Sequence, residues 1–506
     1  MNVAFGLAAV LIVTAATLAI GTWGLKFSRT TSDFFVASRS VRPGLNASAI
    51  SGEYISAASF LGIAGLVLSF GAEMLWYPVG WTAGYLVLLV LVAAPLRRSG
   101  AYTLPDFAEA RLDSRAVRTL ASVMVVVIGW IYLMPQLQGA GVALRSATGL
   151  PPWAGGLVVA VVVLLNVLSG GMRSITFVQA FQYWLKLTAL LVPLAFLVIV
   201  WLGDGGRSPA DTSLFVGGES GTDWANPVDF AGGHALYSTY SLMIATFLGT
   251  MGLPHVVVRY YTNPDGKAAR QTTVAVLALL GIFYVLPPVY AALGRIYTPD
   301  LIGSRAADGV VLELPSRMVG GLGGELLTAL LAGGAFAAFL ATSSGLTIAV
   351  AGVVSQDVVS KRLEGIAAFR VSAVVAIVVP FVLALVAREA TIATVVGLAF
   401  AMAVATFCPL LVLGIWWRGL TDVGALAGLL VGGALTGGAV LDTLLTDRTG
   451  DGWLTTLVAQ PAAWAVPLAF ASMIVVSRLT RHRVPAHTSR FMVRLHTPET
   501  VQLDRG

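Results

Sequence analysis

Long apolar runs separated by short polar connections dominate this chain. A helix that crosses a bilayer takes about 20 mostly apolar residues. The sequence offers thirteen such runs, near 3–25, 45–70, 74–95, 117–144, 153–172, 176–202, 236–258, 271–296, 322–356, 367–387, 391–417, 422–441 and 461–478. The first has no basic residue ahead of it and no clear cleavage site, so it reads as a retained span rather than a signal peptide. The pattern predicts an all-α polytopic membrane protein of about thirteen transmembrane helices.

Two spans carry polar residues and helix breakers at their centres. The second contains Ser51-Gly52-Glu53-Tyr54-Ile55-Ser56-Ala57-Ala58-Ser59-Phe60-Leu61-Gly62. The seventh contains Gly249-Thr250-Met251-Gly252-Leu253-Pro254-His255. Pro254 removes a helix hydrogen bond and clashes with the preceding turn. Backbone groups freed inside a bilayer need partners, and they are tolerated where they line a cavity. Two interrupted spans, five spans apart, point to a secondary transporter built from inverted repeats. The expected organisation is a first span and cytoplasmic loop (1–44), a first repeat of spans two to six (45–202) and an extracytoplasmic loop (203–235). A second repeat of spans seven to eleven (236–417) follows, then peripheral spans twelve and thirteen (418–478) and a basic cytoplasmic tail (479–506).

Composition agrees. Of 506 residues, 57% are apolar and 11% charged, with a mean hydropathy of +0.84, whereas soluble domains are about 25% charged. A soluble enzyme, a disordered chain and a disulfide scaffold are excluded, the last because Cys408 is the single cysteine. The net charge of +6 would suit nucleic acid were it not for its placement. With the amino terminus outside, 23 Lys and Arg fall in inside loops and tail, and 7 (Arg145, Arg207, Arg295, Arg305, Arg317, Arg388 and Arg448) fall outside. By the positive-inside rule this sets the amino terminus outside and the carboxyl terminus in the cytoplasm, in a cytoplasmic (inner) membrane. The 203–235 loop holds Asp204, Asp211, Glu219, Asp223 and Asp229 and reads as a solvated surface. The tail is expected to rest on the anionic inner leaflet. No nucleotide loop, catalytic triad or transition-metal spacing stands out, so no enzyme activity and no cofactor are expected.

Several side chains stand apart. Glu53 is the one acidic residue placed within a span, and an intramembrane carboxylate is a functional candidate by default. It would bind a cation electrostatically or carry a proton. The ninth span has the polar run Thr342-Ser343-Ser344-Gly345, which suits close helix packing or, opposite an interrupted helix, a cation bound by oxygens. Tyr132 and Gln136 share a helix face, for substrate or for interhelical hydrogen bonding. His255 is a gate candidate, or a ring bonded to a freed carbonyl. Lys186, in the sixth span, is expected to snorkel toward the cytoplasmic side, or to partner an anion. Gly428, Gly432, Gly433 and Gly437 read as a helix-packing face.

The run Gly52-Glu53-Tyr54 with Ser56-Ala57-Ala58-Ser59-Phe60-Leu61-Gly62-Ile63 resembles the opening core helix of the sodium:solute symporter family, closest to its acetate permease (cation/acetate symporter) branch. Gly249 to His255 with Arg259-Tyr260-Tyr261-Thr262 is similar to the same branch. So are Tyr132, Gln136, Gly139, Ala140 and Gly141; Gly170-Gly171-Met172; Ser355-Gln356-Asp357; and Val396 to Ala401. The likeness covers about residues 33–420. It implies a LeuT-like 5+5 inverted-repeat fold and uptake of a small monocarboxylate, such as acetate, propionate or pyruvate, coupled to Na+ or H+ by alternating access. It also implies a sodium site formed by carbonyls of Gly52, Ile55 and Ala338 and hydroxyls at 341 and 342. Here Ala341 has no hydroxyl, leaving Thr342 with Ser343 beside it. Glu53 stands where that branch usually has Asp. Ser56, Ala57 and Ser59, facing Gly249, Thr250 and Gly252, would line the substrate pocket. The alternatives are a sodium-coupled symporter of another solute such as proline, a membrane solute sensor retaining the transporter fold, and a channel.

Overall fold

The computed structural model describes residues 3–24, 26, 37–209, 223–228, 234–304, 306–363, 365–386, 392–446, 452–499 and 501. Asp211, Glu219 and Asp229 of the 203–235 loop, and Arg305, Arg388 and Arg448 of the charge count, lie outside these. Among the described residues, eleven helices are long and apolar enough to cross a membrane. The second span is a further, bent pair, Pro43–Tyr54 and Ala58–Phe70, at 71°. One helix, Pro152–Gly203, runs 52 residues. At 1.5 Å per residue that is about 78 Å, more than twice a hydrocarbon core of about 30 Å. It divides at Gly171, whose φ of 56° and ψ of −154° are not helical. The expected fifth and sixth spans are therefore both present, joined at a single residue whose conformation only glycine adopts easily, without a loop between them.

The second span breaks where its sequence turns polar. Its first half starts with Pro43 at the first helical turn, where a missing N–H costs nothing. It ends at Ile55, which is extended (φ −70°, ψ 92°). The second half opens on a π-turn, Ala58–Gly62. The seventh span breaks in the same manner. Ala235–Gly249 passes through a tight turn, Thr250–Gly252, to extended Leu253, and Pro254–Val258 resumes with proline in its first turn. The proline thus starts a new half-helix instead of kinking an old one. Asn46 links the two broken spans. Its amide donates to Arg259 O (3.3 Å) and to Asn263 Oδ1 (3.2 Å).

The ninth span, Gly321–Asp357, is continuous. Its most apolar stretch is buried throughout, against the second, fourth and sixth spans. Its Ala, Gly, Ser and Thr residues let those neighbours approach. Around this centre, the spans Ile392–Trp416, Asp422–Leu445 and Ala462–Leu479 pack in sequence. Gly428 and Gly432 of the twelfth face Met473 and Ala405 respectively, so that glycine face packs against spans within this chain.

The tail packs against the protein. Its helix Thr488–His496 buries Thr488, Phe491, Met492 and Leu495. Phe491 sits 6.3 Å from Phe107. Arg111, fully buried, donates to Gly414 O (2.9 Å), Trp417 O (3.1 Å) and Thr488 Oγ1 (3.1 Å). It thus caps the eleventh span and holds the tail with one guanidinium. Close by, Arg118 binds Asp106 (2.9 Å), Glu109 (2.5 Å) and Asp357 (2.6 Å), tying the helix Leu104–Leu112 to the exit of the ninth span.

Candidate functional site at the two broken helices

The break in the second span strands carbonyls at the end of its first half, where the helix dipole concentrates partial negative charge. Two cationic or hydroxyl-bearing side chains reach them. Lys186 of the sixth span donates from Nζ to Gly52 O and to Ile55 O, the latter at 2.8 Å. Thr342 of the ninth donates from Oγ1 to Glu53 O (2.6 Å). Lys186 is fully buried, so it does not snorkel. A lysine mid-span pays to lose water wherever it goes, and these carbonyls are polar partners within its reach.

Three of the proposed cation ligands, Gly52, Ile55 and Thr342, therefore converge. The others do not complete a shell. Ala341 presents a methyl, and its carbonyl accepts from Gln179 Nε2 (2.8 Å). Ala338 is buried one turn earlier on the same helix. Ser343 Oγ is buried without a hydrogen-bond partner, bonding to neither carbonyl. A sodium ion does not fit this arrangement. Its oxygens are engaged by an ammonium, and one hydroxyl is missing. A cation on the same carbonyls would stand against that ammonium, and like charges packed so closely repel.

Glu53 points the other way. Its carboxylate accepts from Arg259 Nε at 2.6 Å, with both side chains 2% exposed or less. Arg259 also donates to Thr176 Oγ1 (2.9 Å) and to Gln179 Oε1. Glu53 is thus neither a wet helix end nor a free charge. Arg259, assigned to an inside loop in the charge count, is in fact buried at the exit of the seventh span. The pair needs Gly345, where a Cβ would land on the Glu53 carboxyl group. Gly345→Ala is therefore expected to displace Glu53 and cut the uptake rate at least tenfold while the protein still elutes as a single species. Size-exclusion chromatography with uptake assays checks this.

The proposed substrate residues form a second, adjoining group. Ala57 N–H, at the opening of the second half-helix, donates to Gln136 Oε1 at 3.0 Å. Tyr132 and Gln136 share one face of the fourth span, both buried. Ser59 Oγ lies 2.9 Å from Tyr284 OH. Thr250 Oγ1 lies 2.8 Å from Tyr54 OH, so it faces Tyr54 across the two breaks. Ser56 is buried beside them. Gly249 packs against Phe400, and Gly252 against the Ala403 carbonyl. His255 is fully buried, and neither ring nitrogen has a hydrogen-bond partner. Its ring stands edge-on to Tyr132 at 5.2 Å, so it bonds to no freed carbonyl.

Apart from Tyr132, sequence reading missed the walls of this group. Tyr54, Trp81, Tyr132, Tyr284 and Phe400 form one aromatic cluster, with centroids 5.8–6.3 Å apart for Trp81–Phe400, Trp81–Tyr284, Tyr132–Phe400 and Tyr54–Phe400. Arg259, Gln179 and Thr176 were missed as well. Arg259, next to a broken span that also carries a motif, was the available signal.

Two broken helices meeting at mid-span, with charged and polar groups gathered at the breaks, define a secondary transporter rather than an enzyme. Solved structures with the same architecture agree. A Na+-coupled sialic acid symporter aligns over 94% of this chain and 98% of its own, at a TM-score of 0.70 and 14% identity. Mhp1, a nucleobase-cation-symport-1 family transporter with bromovinylhydantoin bound, covers 91% and 98% at 0.57 and 14% identity. These likenesses show the LeuT fold. The family model for the sodium:solute symporter family matches residues 34–432, and the chain belongs to that family. Among relatives, the uncharacterized symporter YwcA of Bacillus subtilis (strain 168) is 33% identical over 430 residues, covering 83% of each chain. The protein is a multi-pass membrane symporter of a small molecule, and its family supports sodium as a coupling ion.

Proposed function

We propose that this protein is a cation-coupled symporter of small monocarboxylates such as acetate, propionate or pyruvate, working by alternating access. The observation that carries the reading is the Ala57 N–H held by Gln136 Oε1 at a half-helix amino end. Free N–H groups and partial positive charge at such an end suit an anionic oxygen. A carboxylate takes the place of Gln136 Oε1 on that N–H, and the amide of Gln136, turned, donates to it. Ser56, Ser59 and Thr250 supply hydroxyls nearby. The rings of Trp81, Tyr132 and Phe400 leave an apolar surround suited to a methyl or a short chain. That crowding supports a small acid over a bulky solute.

The two repeats are 45–202 and 236–417, with the first, twelfth and thirteenth spans outside them. The distribution of Lys and Arg supports an amino terminus outside and a carboxyl terminus in the cytoplasm, in the inner membrane. The chemical test is competition. Unlabelled acetate and propionate are expected to suppress uptake of labelled pyruvate into proteoliposomes, and proline is not. Suppression by proline alone would move the substrate to another class.

A further inference from the structure

We propose that the ammonium of Lys186 is the resident cation of the second-span break, seated where the family resemblance places a sodium ion. This position then contributes no sodium to the transport cycle, and sodium that drives transport binds elsewhere. The inference rests on the symporter reading for its bearing on transport. Its test needs binding alone.

Three observations converge. Lys186 Nζ donates to both break carbonyls, Gly52 O and Ile55 O, so it takes the polar end of the half-helix that a free ion would use. Residue 341, where the family's ion finds a hydroxyl, is Ala341 and offers none. The remaining hydroxyl, Thr342 Oγ1, spends its hydrogen on Glu53 O and so closes the same helix end. Residue 341 supplies no hydroxyl oxygen to an ion's shell and Lys186 sets a positive charge inside it, so an ammonium stands here in exchange for a free ion.

The exchange preserves charge. Sodium and ammonium are both monovalent, so the helix end and the Glu53–Arg259 pair keep a cation beside them. An ammonium also brings three N–H donors, two of which are used here. What differs is release. A free ion leaves with the cargo, whereas Lys186 is tied to the sixth span by its own stem. When the break rearranges, Lys186 either travels with the half-helix end or lets go of it by turning its side chain.

Binding of radioactive sodium to the purified protein tests this. In the wild-type background, Thr342→Ala is expected to leave the amount of bound sodium per chain unchanged. The double variant Lys186→Ala with Ala341→Ser is expected to bind one more sodium ion per chain than the wild type, and adding Thr342→Ala is expected to remove it. Loss of one ion from the Thr342→Ala protein would overturn the proposal. So would a monodisperse double variant that binds no more sodium than the wild type. If the double variant does not fold, an electron cryomicroscopy map of the wild type at high sodium decides. Continuous density from Lys186 to the break supports the proposal. A separate ion on Gly52 and Ile55, with Lys186 turned away, contradicts it. None of these outcomes depends on which solute is carried.

Discussion

Arg259→Ala is expected to lower stability by about 3–5 kcal/mol, the usual cost of leaving a buried charge without its partner. Arg259 is the ion-pair partner of Glu53, and Gly345 leaves no space for water on the near side of that carboxylate. The same change strips donors from Thr176 and Gln179, and Gln179 holds the ninth span through Ala341 O. The damage therefore spreads from the second span to the ninth. A thermal melt of detergent-purified protein is expected to show a clear fall in midpoint for Arg259→Ala. A double change, Glu53→Gln with Arg259→Gln, is expected to recover most of it, because neither member of the pair is left as a charge without its partner. An unchanged midpoint in the single variant would show that the pair is not buried as described.

The second large effect is expected at Gln136. Gln136→Leu keeps approximate size but removes the acceptor on Ala57 N–H and the donor proposed for the carboxylate. A hydrogen bond to a charged group contributes about 1.5–3 kcal/mol, which corresponds to roughly a 10- to 150-fold rise in the half-saturating pyruvate concentration. The melting midpoint is expected to fall by less than in Arg259→Ala, since the change leaves one buried N–H unpaired, at about 1–3 kcal/mol, rather than a charge. A variant with unaltered pyruvate affinity would make Gln136 an interhelical link and nothing more.

The spans were legible because lipid leaves little choice. A segment must be apolar for about 20 residues and satisfy its own backbone, so polar and proline-containing interruptions in spans two and seven stood out. The joint at Gly171 was not legible as such, because a lone glycine beside Gly170 reads equally well as a short loop. An apolar helix around a lysine gives no sign of its target, so from sequence Lys186 reads as snorkelling. Its partners, Gly52 and Ile55, lie more than 130 residues earlier in the chain. Arg259 was counted as a loop charge because it follows the apolar run. Only the packed structure shows that the chain turns inward there. The aromatic cluster was hidden for a different reason. A tryptophan or tyrosine in a membrane helix fits a lipid-facing or interfacial position as well as a buried one, and the rings converge from five different spans. The packing of the tail helix through Phe491, Met492 and Leu495 was hidden because a short amphipathic helix does not name the surface it packs on.

The central claim, coupled symport of a small monocarboxylate, is tested most directly by accumulation. Labelled pyruvate would be followed into proteoliposomes under imposed inward sodium and proton gradients, with ionophores that collapse each gradient in turn. Pyruvate is expected to rise inside above its external concentration and to fall back to equality when the driving gradient is collapsed. Folded protein that only equilibrates pyruvate, or binds it without moving it, would contradict coupled transport.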